Sequence, residues 1–265
     1  MRGRGTHPTT CSVSGDDWSE AAPLPFRGHA VWHIALDLDA ERRANGTRLL
    51  NDDERDRADR FLRPQDRDRF IASHAALRII LGGLLGANPR SLTFAISPAG
   101  RPSLTGWDAL ARGGCVPLDF NLSHSGDHAL VAVSTTARIG VDIEAHRPLS
   151  DALRIARAHF HPREIAALEA AGPNREAAFY AAWTAKEAVV KASGAGLSQP
   201  LDGFAVTIPP VAPALLDVAG TPSTAWTLIR LAPAPGATGA VAIEASHVPC
   251  RLWRLPVDWM NRPMA

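Results

Sequence analysis

The sequence predicts an α+β fold made of two similar halves. Three observations carry this. Short runs of alternating apolar and polar residues, the period of a half-buried strand, recur along the chain. Two longer segments, about 66–85 and 174–193, show helical periodicity, and each ends at a glycine. Each half surrounds its long helix with strands, as a duplicated α+β unit would.

Residues 1–25 are rich in Gly, Ser, Thr, Pro and Asp without periodicity and are expected to be a disordered leader. Residues 29–37 alternate as a strand. Residues 52–69 carry six Arg and seven acids, a solvated helical stretch interrupted near Pro64 that leads into the apolar helix 66–85, stopped by Gly86. A short strand is expected at 92–96, a turn at 98–102, and strands at 120–122 and 129–134 flanking a loop S-H-S-G-D-H. Residues 138–144 form a further strand. Three helices follow: 150–160 with Ser150 or Asp151 as cap, 162–170 with proline in its first turn, and 174–193 capped by Asn174. Strands at 204–208, 225–231, 240–244 and 251–255 complete the pattern. A boundary near 136–137 divides the chain into an N-terminal subdomain, 26–136, and a C-terminal one, 137–265.

Composition narrows the function. A formal net charge of +1 gives no basic field to attract nucleic acid or a membrane surface. No apolar run approaches the ~20 residues of a membrane span, and the first residues lack an apolar signal-peptide core. Cys11, Cys115 and Cys250 have neither disulfide-framework nor zinc-ligand spacing, so a cytoplasmic protein is expected.

The cations are unevenly chosen. Of 28 basic residues 26 are Arg, and the two Lys, Lys186 and Lys191, lie five positions apart, just after the one tyrosine, Tyr180. Lysine is a compact point charge with a tunable pKa, so two lysines in an arginine-using chain point to chemistry that arginine cannot do.

Asp142 and Glu144 lie at i and i+2 of a strand and share a face. Two such acids repel unless a cation or proton lies between them, and hard oxygen ligands suit Mg²⁺. On the last helix, Tyr180, Trp183, Thr184, Glu187 and Lys191 fall on one arc, with Lys186 toward its edge. A mixed aromatic and charged face fits a cleft better than open solvent. The segment Asn121-Leu122-Ser123-His124-Ser125-Gly126 offers small hydroxyls, an imidazole and a glycine, a composition that suits an anion. No G-x-S-x-G elbow or Walker loop is present.

Three segments, F-N-L-S-H-S-G-D (120–127), I-G-V-D-I-E (139–144) and F-Y-A-A-W-T-A-K-E-A-V-V-K-A-S-G-A-G-L (179–197), resemble in order and spacing the signature motifs of 4′-phosphopantetheinyl transferases of the larger, surfactin-synthetase-activating type. The similarity runs from about residue 50 to 206. It implies a pseudo-twofold pair of α+β subdomains with coenzyme A in the cleft between them. It further implies Mg²⁺-dependent transfer of phosphopantetheine to a serine of an apo acyl or peptidyl carrier protein, releasing 3′,5′-ADP. A monomer that binds neither nucleic acid nor membrane goes with that reading.

By the same resemblance, Asp142, Glu144 and Glu187 match the metal ligands. Lys186 and Lys191 match pyrophosphate and catalytic lysines. His124, beside Ser123 in the coenzyme A-binding segment, matches the histidine that meets a coenzyme A phosphate, and Gly100-Arg101-Pro102 resembles a G-K-P turn near the adenine and 3′-phosphate, with Arg replacing Lys. Arg57 matches a basic phosphate contact, Glu54 replaces the basic residue before it, and Glu164 matches a helix acid proposed to assist catalysis. Glu187, Glu164 and a metal-bound water remain alternative acceptors for the serine proton. Rival readings are a silent coenzyme A- or carrier-binding module and a Mg²⁺-dependent pyrophosphate hydrolase.

Overall fold

The computed structural model describes residues 27–106, 118–196, 199–216, 220, 222–256 and 258–260, with the backbone of residues 12–13 and 19–20. Cys11, Cys115, the motif residues Leu197 and Ser198 and the rest of the expected leader lie outside these. The strands are β1 (Ser12–Val13), β2 (Ser19–Glu20), β3 (His29–Ala35), β4 (Thr93–Ile96), β5 (Pro102–Thr105), β6 (Asp119–Ser125), β7 (His128–Ser134), β8 (Ile139–Ala145), β9 (Ala205–Val206), β10 (Leu215–Leu216), β11 (Thr227–Leu231), β12 (Ala237–Ile243) and β13 (Cys250–Arg254). The helices are α1 (Ala40–Leu49), α2 (Asp52–Asp59), α3 (Pro64–Leu85), α4 (Ala152–His159), α5 (Pro162–Ala170) and α6 (Arg175–Ser193).

Alternation along the strands dictates the layering. Of the two larger sheets, one runs β2-β13-β3-β7-β6 and the other β1-β11-β12-β8; β4-β5 and β10-β9 form two-stranded sheets. Ala30, Trp32 and Ile34 of β3, with Ala129, Val131 and Val133 of β7, face α3. The intervening Val31, Leu130 and Ala132 meet Ile139, Val141 and Ile143 of β8 between the sheets. On the far side of the second sheet, Leu228, Ala240 and Ala242 pack on Ala185, Ala188 and Val189 of α6. The order is therefore helix, sheet, sheet, helix. Burial of these alternating faces is what fixes strand register, since a one-residue slip would turn each face inside out.

Gly140 determines how closely α6 lies on β8. A Cβ at this position would come within 2.2 Å of the Ala188 carbonyl oxygen and 2.3 Å of the Ala192 nitrogen. The helix backbone thus rests directly on the strand two residues before Asp142.

The free edges of the two sheets meet along β6 and β8. Asp119 Oδ2 accepts from the Ile139 N–H at 2.7 Å, Asn121 Oδ1 from Val141 at 3.0 Å, and Ser125 Oγ from Ala145 at 3.1 Å. Each rung spans 20 residues. Side chains here replace a backbone ladder and satisfy donors that an edge strand would otherwise leave unpaired.

Several expectations are corrected. The segment S-H-S-G-D-H is not a loop: β6 continues through Ser125, and only Gly126 and Asp127 turn the chain. The helix α1 was not expected, because its one buried residue, Gly46, gives no apolar stripe; it is fixed by Asp39, whose side chain caps the Arg42 N–H at 2.8 Å. β5 and β10 are too short and mixed to show a period. The leader is not wholly unstructured, since β1 pairs with β11 and β2 with β13. β13 in turn pairs with β3, so the last part of the chain adds a strand to the sheet of the first half. Among the described residues no helix is long and apolar enough to cross a membrane.

Candidate active site

The seam between β6 and β8 sets the geometry. Because β6 alternates, Ser123 and Ser125 turn toward β8 while His124 turns away and is exposed. The Ser123 hydroxyl donates to Asp142 Oδ1 at 2.8 Å, and the Ser125 hydroxyl to Glu144 Oε2 at 2.7 Å. Asp142 and Glu144 do share the face turned to α6, with Asp142 buried rather than open to solvent. Lys191 reaches down from α6. Its ammonium lies 2.6 Å from Asp142 Oδ1 and 3.0 Å from Ser123 Oγ. The other carboxylate oxygen of Asp142, Oδ2, is buried without a hydrogen-bond partner among the described residues.

Glu187 stands one turn before Lys191. Burial raises its carboxyl above the ordinary pKa, the Asp142 charge raises it further, Lys191 opposes, and Glu144 adds to the rise. Burial likewise raises Glu144, against the Ser125 hydrogen bond and with the Asp142 charge. Three acids and one ammonium thus share one electrostatic neighbourhood, in which the anions are in excess. Among the described residues, no three His, Cys, Asp or Glu side chains are gathered closely enough to hold a metal ion as they stand. The buried, unpartnered Asp142 Oδ2 and the two acids raised by burial and by the Asp142 charge nevertheless fit a hard divalent cation.

A cleft of about 630 Å³ opens beside this cluster. One wall is Ala99–Pro102 with Asn121 and Leu122; the other is Trp183, Glu187, Val190 and Lys191, continued by Gly194 and 199–201, with His159 also on the lining. Of the expected residues, Gly100, Arg101, Pro102, Glu187 and Lys191 line the cleft, and Ser123 and Asp142 join them through Lys191. His124 lies on the flank. Desolvation lowers its imidazole below the ordinary pKa, and the charges of Lys191, Arg69 and Arg57 lower it further. Arg57 is exposed, stacks 5.2 Å over the Phe70 ring and makes no ion pair among the described residues.

Four expected roles meet a different arrangement. Arg101 does not present a free guanidinium: it donates to Asp119 Oδ2 at 2.7 Å, to the Ile139 carbonyl at 2.9 Å and to the Lys191 carbonyl, tying the turn before β5 to β6, β8 and α6. Lys186 and Glu164 are not on the cleft lining; they pair with each other, with no side-chain surface exposed. Tyr180 and Thr184 belong to the core rather than to a cleft face: Tyr180 donates to the Arg147 carbonyl at 2.9 Å and Thr184 to the Tyr180 carbonyl at 2.9 Å. The helix arc assumed from periodicity was too wide, because α6 is covered on several sides. Glu54, the acid that stands in place of a basic residue, has a structural role: it closes a capping box with Asn51 and binds buried Arg78 at 2.7 Å.

Sequence reasoning missed His159, which closes α4, and the roles of Asp119, Asn121 and Ser125. The signal for the last three was present: D-x-N-x-S-x-S places a polar residue at every second position of a strand whose other face is apolar.

Comparison with known proteins joins this geometry to a family. Residues 41–136 match the model described as 4′-phosphopantetheinyl transferase, N-terminal, and residues 138–243 match the 4′-phosphopantetheinyl transferase superfamily. The 4′-phosphopantetheinyl transferase HetI of Nostoc sp. (strain PCC 7120) is 37% identical over 224 residues, covering 84% of this chain and 90% of that protein. The chain belongs to the 4′-phosphopantetheinyl transferase superfamily. Sfp of Bacillus subtilis (strain 168), another such transferase, is 28% identical over 185 residues, 67% of this chain and 76% of its own. A putative 4′-phosphopantetheinyl transferase of Synechocystis sp. is 39% identical over 151 residues, 57% of this chain and 59% of its own. As a 4′-phosphopantetheinyl transferase the chain moves that group to carrier proteins.

Proposed function

We propose that this chain is a Mg²⁺-dependent enzyme that transfers 4′-phosphopantetheine from coenzyme A to a serine of an apo acyl or peptidyl carrier protein, releasing 3′,5′-ADP. The observation that carries the reading is the Lys191–Asp142–Ser123 cluster at the wall of a cleft that also holds Glu187. We read 26–136 and 137–265 as subdomains related by a pseudo-twofold axis, with catalysis in the cleft between them, by a monomer acting in the cytoplasm. The layer order supports this, since each sheet carries one long helix on its outer face.

The serine oxygen attacks the phosphorus that bears pantetheine, and the bond from that phosphorus to the departing nucleotide oxygen breaks. Such a reaction depends chiefly on positioning and charge neutralisation. Lys191 neutralises a pyrophosphate oxygen and, through Ser123 and Asp142, is held in one rotamer. Arg57 and His124 offer a cation and a hydrogen-bond donor to the phosphates at the flank. Trp183 gives the cleft an apolar wall for the pantetheine arm. Asp142, Glu144 and Glu187 would hold the divalent ion, which when bound supplies Lewis-acid stabilisation of the pyrophosphate. Glu187, which lines the cleft, is the candidate acceptor for the serine proton through a carboxylate oxygen not given to the ion. Glu164 is not a candidate acceptor, for the reason given below.

The test is to incubate the protein with coenzyme A, Mg²⁺ and an apo carrier and to weigh the carrier. A gain of about 340 Da, the phosphopantetheine group exchanged in this phosphoryl transfer, is expected. Loss of coenzyme A with an unmodified carrier would instead mark a pyrophosphate hydrolase, and binding with neither change a silent module.

A further inference from the structure

The second lysine has a place that the transfer chemistry does not use. Lys186 is completely buried, and Glu164 is 1% exposed. The three protons of the ammonium meet three acceptors: Glu164 Oε1 at 2.8 Å, Glu164 Oε2 at 2.7 Å and the Phe204 carbonyl at 2.6 Å. The nitrogen lies 4.3 Å from the centre of the Phe204 ring and 5.5 Å from that of Phe160. The carboxylate is equally committed. Its Oε1 also accepts the Val206 N–H at 2.7 Å, and its Oε2 the His161 N–H at 2.9 Å, closing the capping box of α5. No lone pair of Glu164 remains for a substrate proton, and no proton of Lys186 for a phosphate. A planar guanidinium with five N–H groups does not match this three-acceptor pocket, which accounts for lysine in a chain that otherwise uses arginine.

The pair joins three pieces: the first turn of α5, the segment 204–206, and α6 one residue before Glu187. The chain reaches Phe204 directly from the cleft wall 199–201. We infer that Lys186 and Glu164 are positioning residues, a buried clamp that holds the 199–206 wall and α5 against α6 and so fixes Glu187 and Lys191 relative to the pantetheine side of the cleft. The kinetic part of this inference rests on the transfer reaction proposed above; the structural part does not.

Lys186→Met, Glu164→Gln and the double variant test it. A buried ion pair loses most when one partner is removed and often little when both are replaced by neutral groups. Each single variant is therefore expected to lower kcat by about 30-fold or more, in line with the cost of ~1 Å misplacements, and to speed amide exchange at His161, at 163–165 and at 204–206. Its affinity for coenzyme A, measured by calorimetry, stays within about 3-fold, and the double variant recovers kcat to within about 5-fold of the parent protein. A 10-fold or greater loss of coenzyme A affinity in Lys186→Met that persists in the double variant would make Lys186 a phosphate ligand and overturn the inference. Equal inactivity of Glu164→Gln and the double variant, with unchanged exchange, would make Glu164 catalytic and overturn it as well.

The unmodified protein decides the matter even if the variants fail to fold or no transfer is seen. The His161 and Val206 amides, both given to Glu164, are expected to exchange as slowly as the centre of α6 and to ignore saturating coenzyme A. Fast exchange, or a change on adding coenzyme A, rejects an internal clamp.

Discussion

The Lys191 ammonium lies 2.6 Å from Asp142 Oδ1, across 49 residues of sequence and from a different element. This contact exists because three local features agree. Gly140 lets α6 lie on β8, Ser123 holds the same carboxylate oxygen from the other sheet, and the helix carries Lys191 one turn beyond Glu187. Removing any one should damage the site.

Lys191→Arg tests whether a point charge is needed. Arginine is wider and planar, and its donors cannot converge on Asp142 Oδ1 and Ser123 Oγ as a single ammonium does. The expected result is a folded protein with about 10²-fold lower kcat in carrier modification at saturating coenzyme A. Full activity would show that any cation at this position suffices.

Gly140→Ala tests the close approach. The added methyl group would meet backbone atoms of α6, which have no rotamer by which to escape. Overpacking of this kind typically costs about 1–3 kcal/mol or more. Thermal unfolding should therefore show a midpoint several degrees lower, with turnover reduced in the material that remains folded. An unchanged midpoint would mean that α6 does not rest on β8.

The fold was legible wherever a period was long enough to read. The strands at β3, β7 and β8 and the helices α3, α5 and α6 follow from alternation, proline and glycine. The same signal failed at α1, whose exposed polar surface carries no stripe, and at the seam, where S-H-S-G-D-H reads as a loop by composition. There, polar residues lie in a strand because their partners are N–H groups of another strand, which a local reading does not see. For the site, Asp142 and Glu144 on one face were readable from spacing alone. Lys186 was not: it is adjacent to Glu187 in sequence but points into the core, and only the fold brings Glu164 to meet it. Arg101 was misread for a similar reason, since its partners on β6, β8 and α6 are all distant in sequence.

Arg101→Lys follows from that correction. Lysine keeps the charge and is the residue expected in a G-K-P turn, but it cannot reach the Asp119 carboxylate and the Ile139 and Lys191 carbonyls together. A buried acceptor left unpaired costs about 1–3 kcal/mol. The prediction is a lower unfolding midpoint and a kcat that falls more than coenzyme A affinity does. If affinity falls at least 10-fold with an unchanged midpoint, Arg101 is a phosphate contact after all.

The last prediction concerns acid. His74 donates its Nδ1 proton to the Phe70 carbonyl at 3.0 Å and stacks on the Phe70 ring at 3.8 Å. Desolvation lowers its pKa to about 3; the hydrogen bond to Phe70 opposes this, and the charges of Arg57, His124 and Arg78 add to it. His33 is lowered to about 4 by burial, then by His128 and Arg254. In the unfolded chain both rings take a proton near pH 6.5, whereas in the folded chain they do so only at about 3 and 4. Between those limits the unfolded state holds more protons, so stability is full above about pH 6.5 and falls as pH drops toward 4. Glu144 and Glu187, raised in the fold, act with the opposite sign, regaining stability as pH falls through their folded pKa. The comparison must therefore be between chains that differ only at one histidine. In His74→Gln the glutamine cannot take up a proton, so its unfolding midpoint should fall less between pH 7 and 5 than that of the parent protein, by at least about 3 °C. Parallel curves for the two would mean that His74 takes up its proton alike in the folded and unfolded chain, and would remove the desolvated imidazole from beside Arg57 and His124.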